Sequence, residues 1–404
     1  AMGLTDRLAR PLVLRQLGGW RQGRLRLTLP DGAVHEFGNP AGPVHELQVV
    51  DNRFFSRLLV SGVTGVGESY MAGEWHSEDL PGLIAAALAN ADSVRLDGRF
   101  ARLSGRLDAY RQRRRANSPA GSQDNIHEHY DLGNDFFRLF LDDTLTYSCA
   151  VYADESQSQA NAQINKYRVI CDQLNLGPED RVLEIGCGWG GFALYAARET
   201  GCHVTGITIS REQLALARER VAAACLEGQI DIQYRDYRDL DATYDAVVSI
   251  EMFEAVGREY WDTYFRAAAR ALRPGGRFLL QTIATPDVHR HHHRRGSGWI
   301  SKYIFPGGIL PAVVEIRETL ARTSPALHLA AEREIGPHYI RTLDTWRGRF
   351  WDKIDAVRAL GYDERFIRMW DFYLASCSAA FTARHIRDVQ LLLTRDPAPV
   401  AESA

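Results

Sequence analysis

The chain has 404 residues, 45% of them hydrophobic, and a formal net charge of -3. That length allows two domains, and the near-neutral balance excludes general nucleic-acid affinity. No apolar run approaches the ~20 residues of a membrane span, which leaves only peripheral membrane contact open. Six cysteines (Cys149, Cys171, Cys187, Cys202, Cys225 and Cys377) lack any Cys-x-x-Cys spacing. They point to a reducing cytoplasm with neither a disulfide framework nor a zinc site. No signal peptide is expected, and Ala1-Met2 reads as a remnant of cloning.

Residues 4–115 read as a small mixed domain. Gly23-Arg24-Leu25-Arg26-Leu27-Thr28-Leu29 alternates polar and apolar before Pro30-Asp31-Gly32, a hairpin signal. Pro81-Gly82-Leu83-Ile84-Ala85-Ala86-Ala87-Leu88 predicts a helix. The run Arg111-Gln112-Arg113-Arg114-Arg115 reads either as a solvated helix end or as a patch for anionic lipid head groups. A polar linker over 116–124 follows.

The stretch after the linker, from Asn125 to Phe137 and on through Leu145-Thr146-Tyr147-Ser148-Cys149-Ala150, is rich in aromatic, Asn, Asp and His residues. It predicts a cap over a sheet. Arg181-Val182-Leu183-Glu184-Ile185 then runs into Gly186-Cys187-Gly188-Trp189-Gly190-Gly191 and a helical pattern. This is a buried strand, a tight loop and a helix N-terminus that presents free N–H groups to a ligand. Gly186-x-Gly188-x-x-Gly191 formally fits a dinucleotide fingerprint, which also wants an acid about 20 residues on. The second strand instead ends in Thr208-Ile209-Ser210, and Glu212 lies inside the next helix, so a nicotinamide cofactor is disfavoured. The pattern Glu184-x-Gly186-x-Gly188 resembles the first motif of class I S-adenosylmethionine (SAM) methyltransferases.

Strands are predicted at 181–185, 203–208, 231–234, 244–250 and 276–283, with helices between them. The alternation implies a parallel sheet wrapped by helices, with ligands at the carboxyl ends of the strands. After the third strand, Asp236 and Tyr237 offer an acid and an aromatic ring to bracket a purine. The last third reads as helical, including Val389-Gln390-Leu391-Leu392-Leu393 as core packing at helical spacing. The basic run His289-Arg290-His291-His292-His293-Arg294-Arg295 lacks an acidic partner or a strand framework, so no metal site is assigned.

Taken together, the segments HYDLGNDFF (129–137), LTYSCA (145–150), VLEIGCGWGGFA (182–193), GITIS (206–210) with Gln213, EMFEAVG (251–257), SKYIFPGG (301–308) and YLASCSAAF (373–381) resemble the cyclopropane-fatty-acid synthase family. GESYMAGEW (67–75) is similar to the family's small N-terminal domain. The resemblance implies an α/β class I SAM-methyltransferase (Rossmann-like) sheet over 125–404. It adds a helical acyl-chain-binding insertion, C-terminal helices and a lipid-binding domain over 1–115. SAM would be held by Tyr147, Ser148, Glu184, Gly186, Gly188, Thr208, Ile209, Gln213, Asp236 and Tyr237. A bicarbonate ion, the general base, would sit among Cys149, Glu254, Gln281, Ile283 and Tyr339, with Cys149 and Ile283 contributing largely through backbone. The implied partner is a phospholipid surface with unsaturated acyl chains, met from the cytoplasmic side, and the resemblance allows a homodimer.

The chemistry suits these residue types. An alkene attacks a sulfonium methyl only if held in line at about 3–3.5 Å. The resulting carbocation needs a dry pocket, nearby negative charge and a base. Proton loss from the added methyl closes a cyclopropane, and the alternative outcome is a methylene or methyl branch. A Cys149 thiolate is unnecessary to either. Two positions depart from the family pattern: Gln281 stands where His is usual and cannot carry a proton. Glu251 stands where well-known members have glycine, either facing the pocket with Glu254 or capping a helix.

Overall fold

First in the chain comes α1 (Leu4–Leu17), which buries Ala9, Val13 and Leu17 and leaves Leu4, Leu8 and Leu12 exposed. The hairpin expected near residue 30 forms: β1 (Arg24–Thr28) pairs antiparallel with β2 (Val34–Gly38). β3 (Val44–Val49) joins β1 in parallel, and β4 (Trp75–His76) completes a sheet of order β2-β1-β3-β4. Between β3 and β4 lies α2 (Arg53–Met71), broken at Gly62, whose φ of 56° and ψ of -134° leave helical space. The helix expected at 81–88 is α3 (Leu80–Ala89), started by Asp79, whose carboxylate accepts from the Gly82 amide at 3.0 Å. The computed structural model describes residues 3–94, 132–289 and 298–398. The run 111–115, the linker over 116–124, His127, His129 and the basic run from Arg290 onward lie outside them.

α4 (Gly133–Phe140) buries Phe136, Phe137 and Phe140, and α5 (Gln159–Leu174) follows, capped by Ser158. Then the predicted alternation appears: β5 (Arg181–Ile185), α6 (Gly191–Thr200), β6 (His203–Thr208), α7 (Arg211–Ala223), β7 (Ile230–Tyr234), β8 (Tyr244–Ile250), α8 (Trp261–Ala271) and β9 (Leu272–Ala284). α9 (Trp299–Tyr303), α10 (Val313–Thr323), β10 (Leu327–Glu334), α11 (Gly336–Asp352), α12 (Ile354–Ala359), α13 (Glu364–Thr382) and β11 (Arg387–Arg395) complete the described chain. The helical reading of 389–393 is corrected by β11. A short apolar run has no periodicity that separates strand from buried helix, and here pairing with β9 decides.

The large sheet has the order β10-β11-β9-β8-β5-β6-β7. β9, β8, β5, β6 and β7 are parallel; β11 runs antiparallel beside β9, and the edge strand β10, antiparallel to β11, points the same way as the rest. From β5 the chain winds first to β6 and β7, then back past β5 to β8 and β9. That reversal opens a crevice at the carboxyl ends of β5 and β8. One face packs Phe253, Tyr264, Phe265 and Phe278; the other packs Phe192, Val204, Ile232 and Leu279.

By contact the chain divides into two units. One holds Ala1–Arg115, Arg295–Pro306 and Leu343–Ile386; the other holds Ala116–Arg294, Gly307–Thr342 and Arg387–Ala404. Residues 343–386, assigned from sequence to the second domain, thus group with the first. Within that unit Asp371 is fully buried and accepts from Tyr70 Oη at 2.6 Å, Arg347 Nε at 2.7 Å and Trp351 Nε1 at 2.7 Å. Such enclosed acids persist because each carboxylate oxygen has a donor.

Candidate active site

β5 delivers Glu184 to the crevice, and the chain turns through Gly186, Gly188 and Gly190 with φ of 80°, 53° and 81° before α6 begins. Glycine is suited to this left-handed turn because it has no Cβ to clash. The amides of Gly186 and Cys187 both donate to Ile207 O at 3.0 Å, tying the turn to β6. A Cβ on Gly186 would come within 2.7 Å of Met252 Cγ, whereas one on Gly188 would meet no atom within 4 Å. The open side of the loop is therefore at Gly188 rather than at Gly186. From behind, Phe137 packs on Trp189 and on Tyr147, with ring centroids 5.1 and 5.2 Å apart.

Glu184 is buried, and its Oε2 has no hydrogen-bond partner among the described residues. Burial pushes this carboxyl well above the usual carboxylate range, with the Lys166 ammonium and the Ala193 amide opposing. An orphaned buried oxygen at a strand end fits a cofactor that donates a hydrogen bond there. Thr208 Oγ1 donates to Gln213 Oε1 at 2.9 Å, and Ile209 is half-exposed beside them. Asp236 accepts two bonds from Arg238, at 2.8 and 2.9 Å. The Tyr237 ring is buried against Tyr264, at 5.3 Å between centroids, so it serves the core as well as the crevice edge. Ser148 Oγ accepts from Lys166 Nζ at 2.6 Å.

A second cluster lies at the ends of β8, β9 and β11. Glu251, at φ 49°, turns its carboxylate towards three donors. Its Oε1 accepts from the Cys149 amide at 2.9 Å and from Gln281 Nε2 at 2.8 Å; its Oε2 accepts from Tyr339 Oη at 2.5 Å. Glu254, in the short turn Phe253–Ala255, accepts from the Ile283 amide. The five residues assigned to a bicarbonate pocket are thus together, but their donors are already satisfied. Cys149, Gln281 and Tyr339 serve Glu251, and Ile283 serves Glu254. A free bicarbonate would meet the Glu251 carboxylate where those donors point, with only the Glu254 carboxyl, whose Oε2 has no partner among the described residues, left to donate, so the site as built favours the Glu251 carboxylate over the ion. Nor does Glu251 act as a helix cap.

Cys149 is not a nucleophile in waiting. Burial first, then Asp388 and Glu251, push its thiol well up, and its Sγ donates to the carbonyls of Ala150 and Ile335. Sequence reasoning passed over Lys166, Asp388 and Gln390, all fully or almost fully buried. The signal available was polar residues at 388 and 390 flanking Val389 in a run otherwise apolar.

Burial, reinforced by Glu251, pushes Glu254 up to about 8 from an ordinary 4.5. The folded protein therefore holds this proton more tightly than the unfolded chain. The group's contribution to stability is undiminished below about 4.5 and falls as pH rises through about 8. Glu254→Gln, neutral throughout, should gain in melting temperature relative to the parent between pH 5.5 and 8.5. Parallel melting curves across that range would show that Glu254 is charged in the folded state.

Residues 117–391 match the family described as mycolic acid cyclopropane synthetase. The chain is 38% identical over 386 residues to the tuberculostearic acid methyltransferase UfaA1 of Mycobacterium tuberculosis, covering 93% of this chain and 88% of that protein. It is 39% identical over 357 residues to the cyclopropane-fatty-acyl-phospholipid synthase of Escherichia coli, covering 87% and 88%. The crystal structure of mycolic acid cyclopropane synthase CmaA1 complexed with SAH and CTAB superposes with a TM-score of 0.63 at 31% identity. It covers 68% of this chain and 98% of that one.

Proposed function

Because the chain belongs to the mycolic acid cyclopropane synthetase family, and is a SAM-dependent methyltransferase of class I fold, we propose that it alkylates the double bond of unsaturated phospholipid acyl chains, with Glu251 as the base. The observation that carries this reading is the convergence of Cys149 N, Gln281 Nε2 and Tyr339 Oη on the Glu251 carboxylate. Three donors aimed at one carboxyl group make the surroundings of an anion, held where a relative with glycine would have space.

SAM, when bound, supplies an electrophilic methyl carbon. Glu184 and the Gly186–Gly188 turn would hold it, with Thr208, Gln213 and Asp236 along the strand ends. Attack by the alkene leaves a carbocation on the acyl chain. Glu251 offers it negative charge without reorganisation, because its three donors fix the carboxylate beforehand. Glu251 then takes one proton. Glu254, neutral below about 8, spares the pocket a second full charge. Loss of the proton from the added methyl gives a cyclopropane. A second reading, a 1,2-hydride shift that moves the cation to the methyl-bearing carbon before the methyl loses a proton, gives a methylene branch; it is supported by the immobility of Glu251, since a tethered carboxylate takes whichever proton the seated chain brings to it.

A lipid surface as the source of substrate is supported by α1. Leu4, Leu8 and Leu12 are 76%, 64% and 48% exposed, and Arg7 and Arg15 flank them on the exposed side. Apolar residues beside cations on one helix suit the boundary of an anionic bilayer. No helix among the described residues is long and apolar enough to cross a membrane. Peripheral binding at the inner face is the reading in keeping with both.

The test is direct. Purified protein with SAM and vesicles of mono-unsaturated phospholipid should release S-adenosylhomocysteine and add one carbon to the acyl chain. Saturated vesicles should give neither. Proton NMR of the product separates a three-membered ring from an exocyclic methylene. Release of S-adenosylhomocysteine without any change in the lipid would remove the acyl chain as substrate.

A further inference from the structure

Gln281 does not stand alone beside Glu251. Its Nε2 donates to Glu251 Oε1 at 2.8 Å and lies 3.5 Å from Asp388 Oδ2. Its Oε1 accepts from Gln390 Nε2 at 3.0 Å, and Gln390 Oε1 in turn accepts from Gln173 Nε2 at 3.2 Å. Gln281 and Gln390 are directly opposed across the β9–β11 ladder, so their side chains share a face of the sheet. Gln173 sits on α5, half-buried, with its carbonyl held by Arg277 at 2.9 Å. Each amide donates to the next, and the last donates to a carboxylate. The row therefore has a direction.

That direction matters because an amide has two faces. A glutamine beside a carboxylate can present N–H groups, which suit an anion, or a carbonyl oxygen, which repels it. Gln281 is fully buried, so bulk solvent does not correct a wrong choice. Reversing it would set its own NH2 against the NH2 of Gln390 and its oxygen against Glu251, leaving both ends unmatched. We propose that Gln390, backed by Gln173, is a positioning residue that locks Gln281 with its NH2 towards Glu251 and so keeps the base in its proton-accepting state. A His at 281 would titrate; a locked glutamine is a donor at every pH.

The inference rests on Glu251 being the base. The charged and titratable groups facing Glu251 are Tyr339 from α11, Cys149 from the loop before α5, Lys166 from α5, Glu254 from the turn after β8 and Asp388 from β11. All of them remain when Gln390 is changed, so a shift in the pH profile reports on the amide row.

Gln390→Met keeps the length of the side chain and removes its donor. It should lower kcat about tenfold and move the acidic limb of the kcat profile up by about one pH unit, with SAM affinity and the KM for lipid unchanged. In a Gln281→Met background, Gln390→Met should add nothing to the shift. Gln173→Met, at the half-buried end, should move the limb in the same direction and serves if Gln390→Met does not fold. A folded variant with the parent's profile, or a shift that persists in the Gln281→Met background, overturns the inference. Glu251→Gln is measured alongside: if it loses turnover while Gln390→Met is silent, only the amide row fails. If Glu251→Gln is fully active, the base assignment itself fails.

Discussion

Glu251→Gly should abolish turnover in bicarbonate-free buffer, and added bicarbonate should restore much of it. Removing a positioned base typically costs about 10²–10⁴-fold in rate. The glycine variant also leaves Cys149 N, Gln281 Nε2 and Tyr339 Oη without their acceptor, around a space the size of a small oxyanion. Buried donors left unpaired cost roughly 1–3 kcal/mol each, so a diffusible anion gains by entering. Part of that cost is offset at the backbone. Glu251 has a φ of 49°, a region that costs a side-chain-bearing residue roughly 1–2 kcal/mol and glycine almost nothing. The parent should be indifferent to bicarbonate, because its donors are occupied. Glu251→Gln, similar in shape but unable to take the proton, should be as slow as the glycine variant and gain nothing from bicarbonate. Release of S-adenosylhomocysteine, with and without rigorous removal of carbon dioxide, measures all three. A parent enzyme that stops when bicarbonate is removed would contradict the built-in base.

SAM affinity should fall at least about a hundredfold in Gly188→Val, with the fold retained. At φ 53° the substitution costs roughly 1–2 kcal/mol of backbone strain, a loss that a chain of this size tolerates. Its Cβ meets no protein atom within 4 Å, so the branched side chain projects into the open side of the loop where the cofactor would approach the backbone. Gly186→Val is the poorer probe. Its Cβ runs into Met252 within 2.7–2.9 Å, so lost binding there would be confounded by a displaced Met252 and loop. Calorimetric titration with SAM, together with melting curves, separates the two cases. Unchanged affinity in a folded Gly188→Val protein would place the cofactor elsewhere.

Much of the crevice was legible because its parts are contiguous in sequence. The strand at 181–185, the glycine turn and the following helix occupy neighbouring positions, and apolar run, glycine spacing and helical period announce each in turn. The hairpin before Asp31 and the helix behind Asp79 were readable for the same reason: turn and cap chemistry acts over two to four residues. Reading failed where pairing partners are far apart. Val389, Leu391 and Leu393 face a core, and only the ladder with β9, over a hundred residues earlier, makes their segment a strand. The grouping of 343–386 with the first unit was hidden likewise, since local patterning carries no record of which distant surface a helix covers.

By itself, then, the sequence determined the doubly wound sheet and the loop at 186–191, because both rest on local periodicity and on spacings read within a few residues, while SAM entered through the resemblance of Glu184-x-Gly186-x-Gly188 to a known family motif. It also brought to notice side chains that the structure gathers in one cluster: Cys149, Glu251, Glu254, Gln281 and Tyr339. Which carboxyl group receives which donor was settled only in three dimensions. Glu251 and Glu254 are three residues apart, and spacing does not distinguish them. The left-handed turn at Glu251 sends its carboxylate to Cys149, Gln281 and Tyr339, while Glu254 meets Ile283. Gln281 likewise took its meaning from Gln390 across the sheet and Gln173 behind it. A hydrogen bond depends on a few tenths of an ångström and on direction, and those are properties of the packed chain.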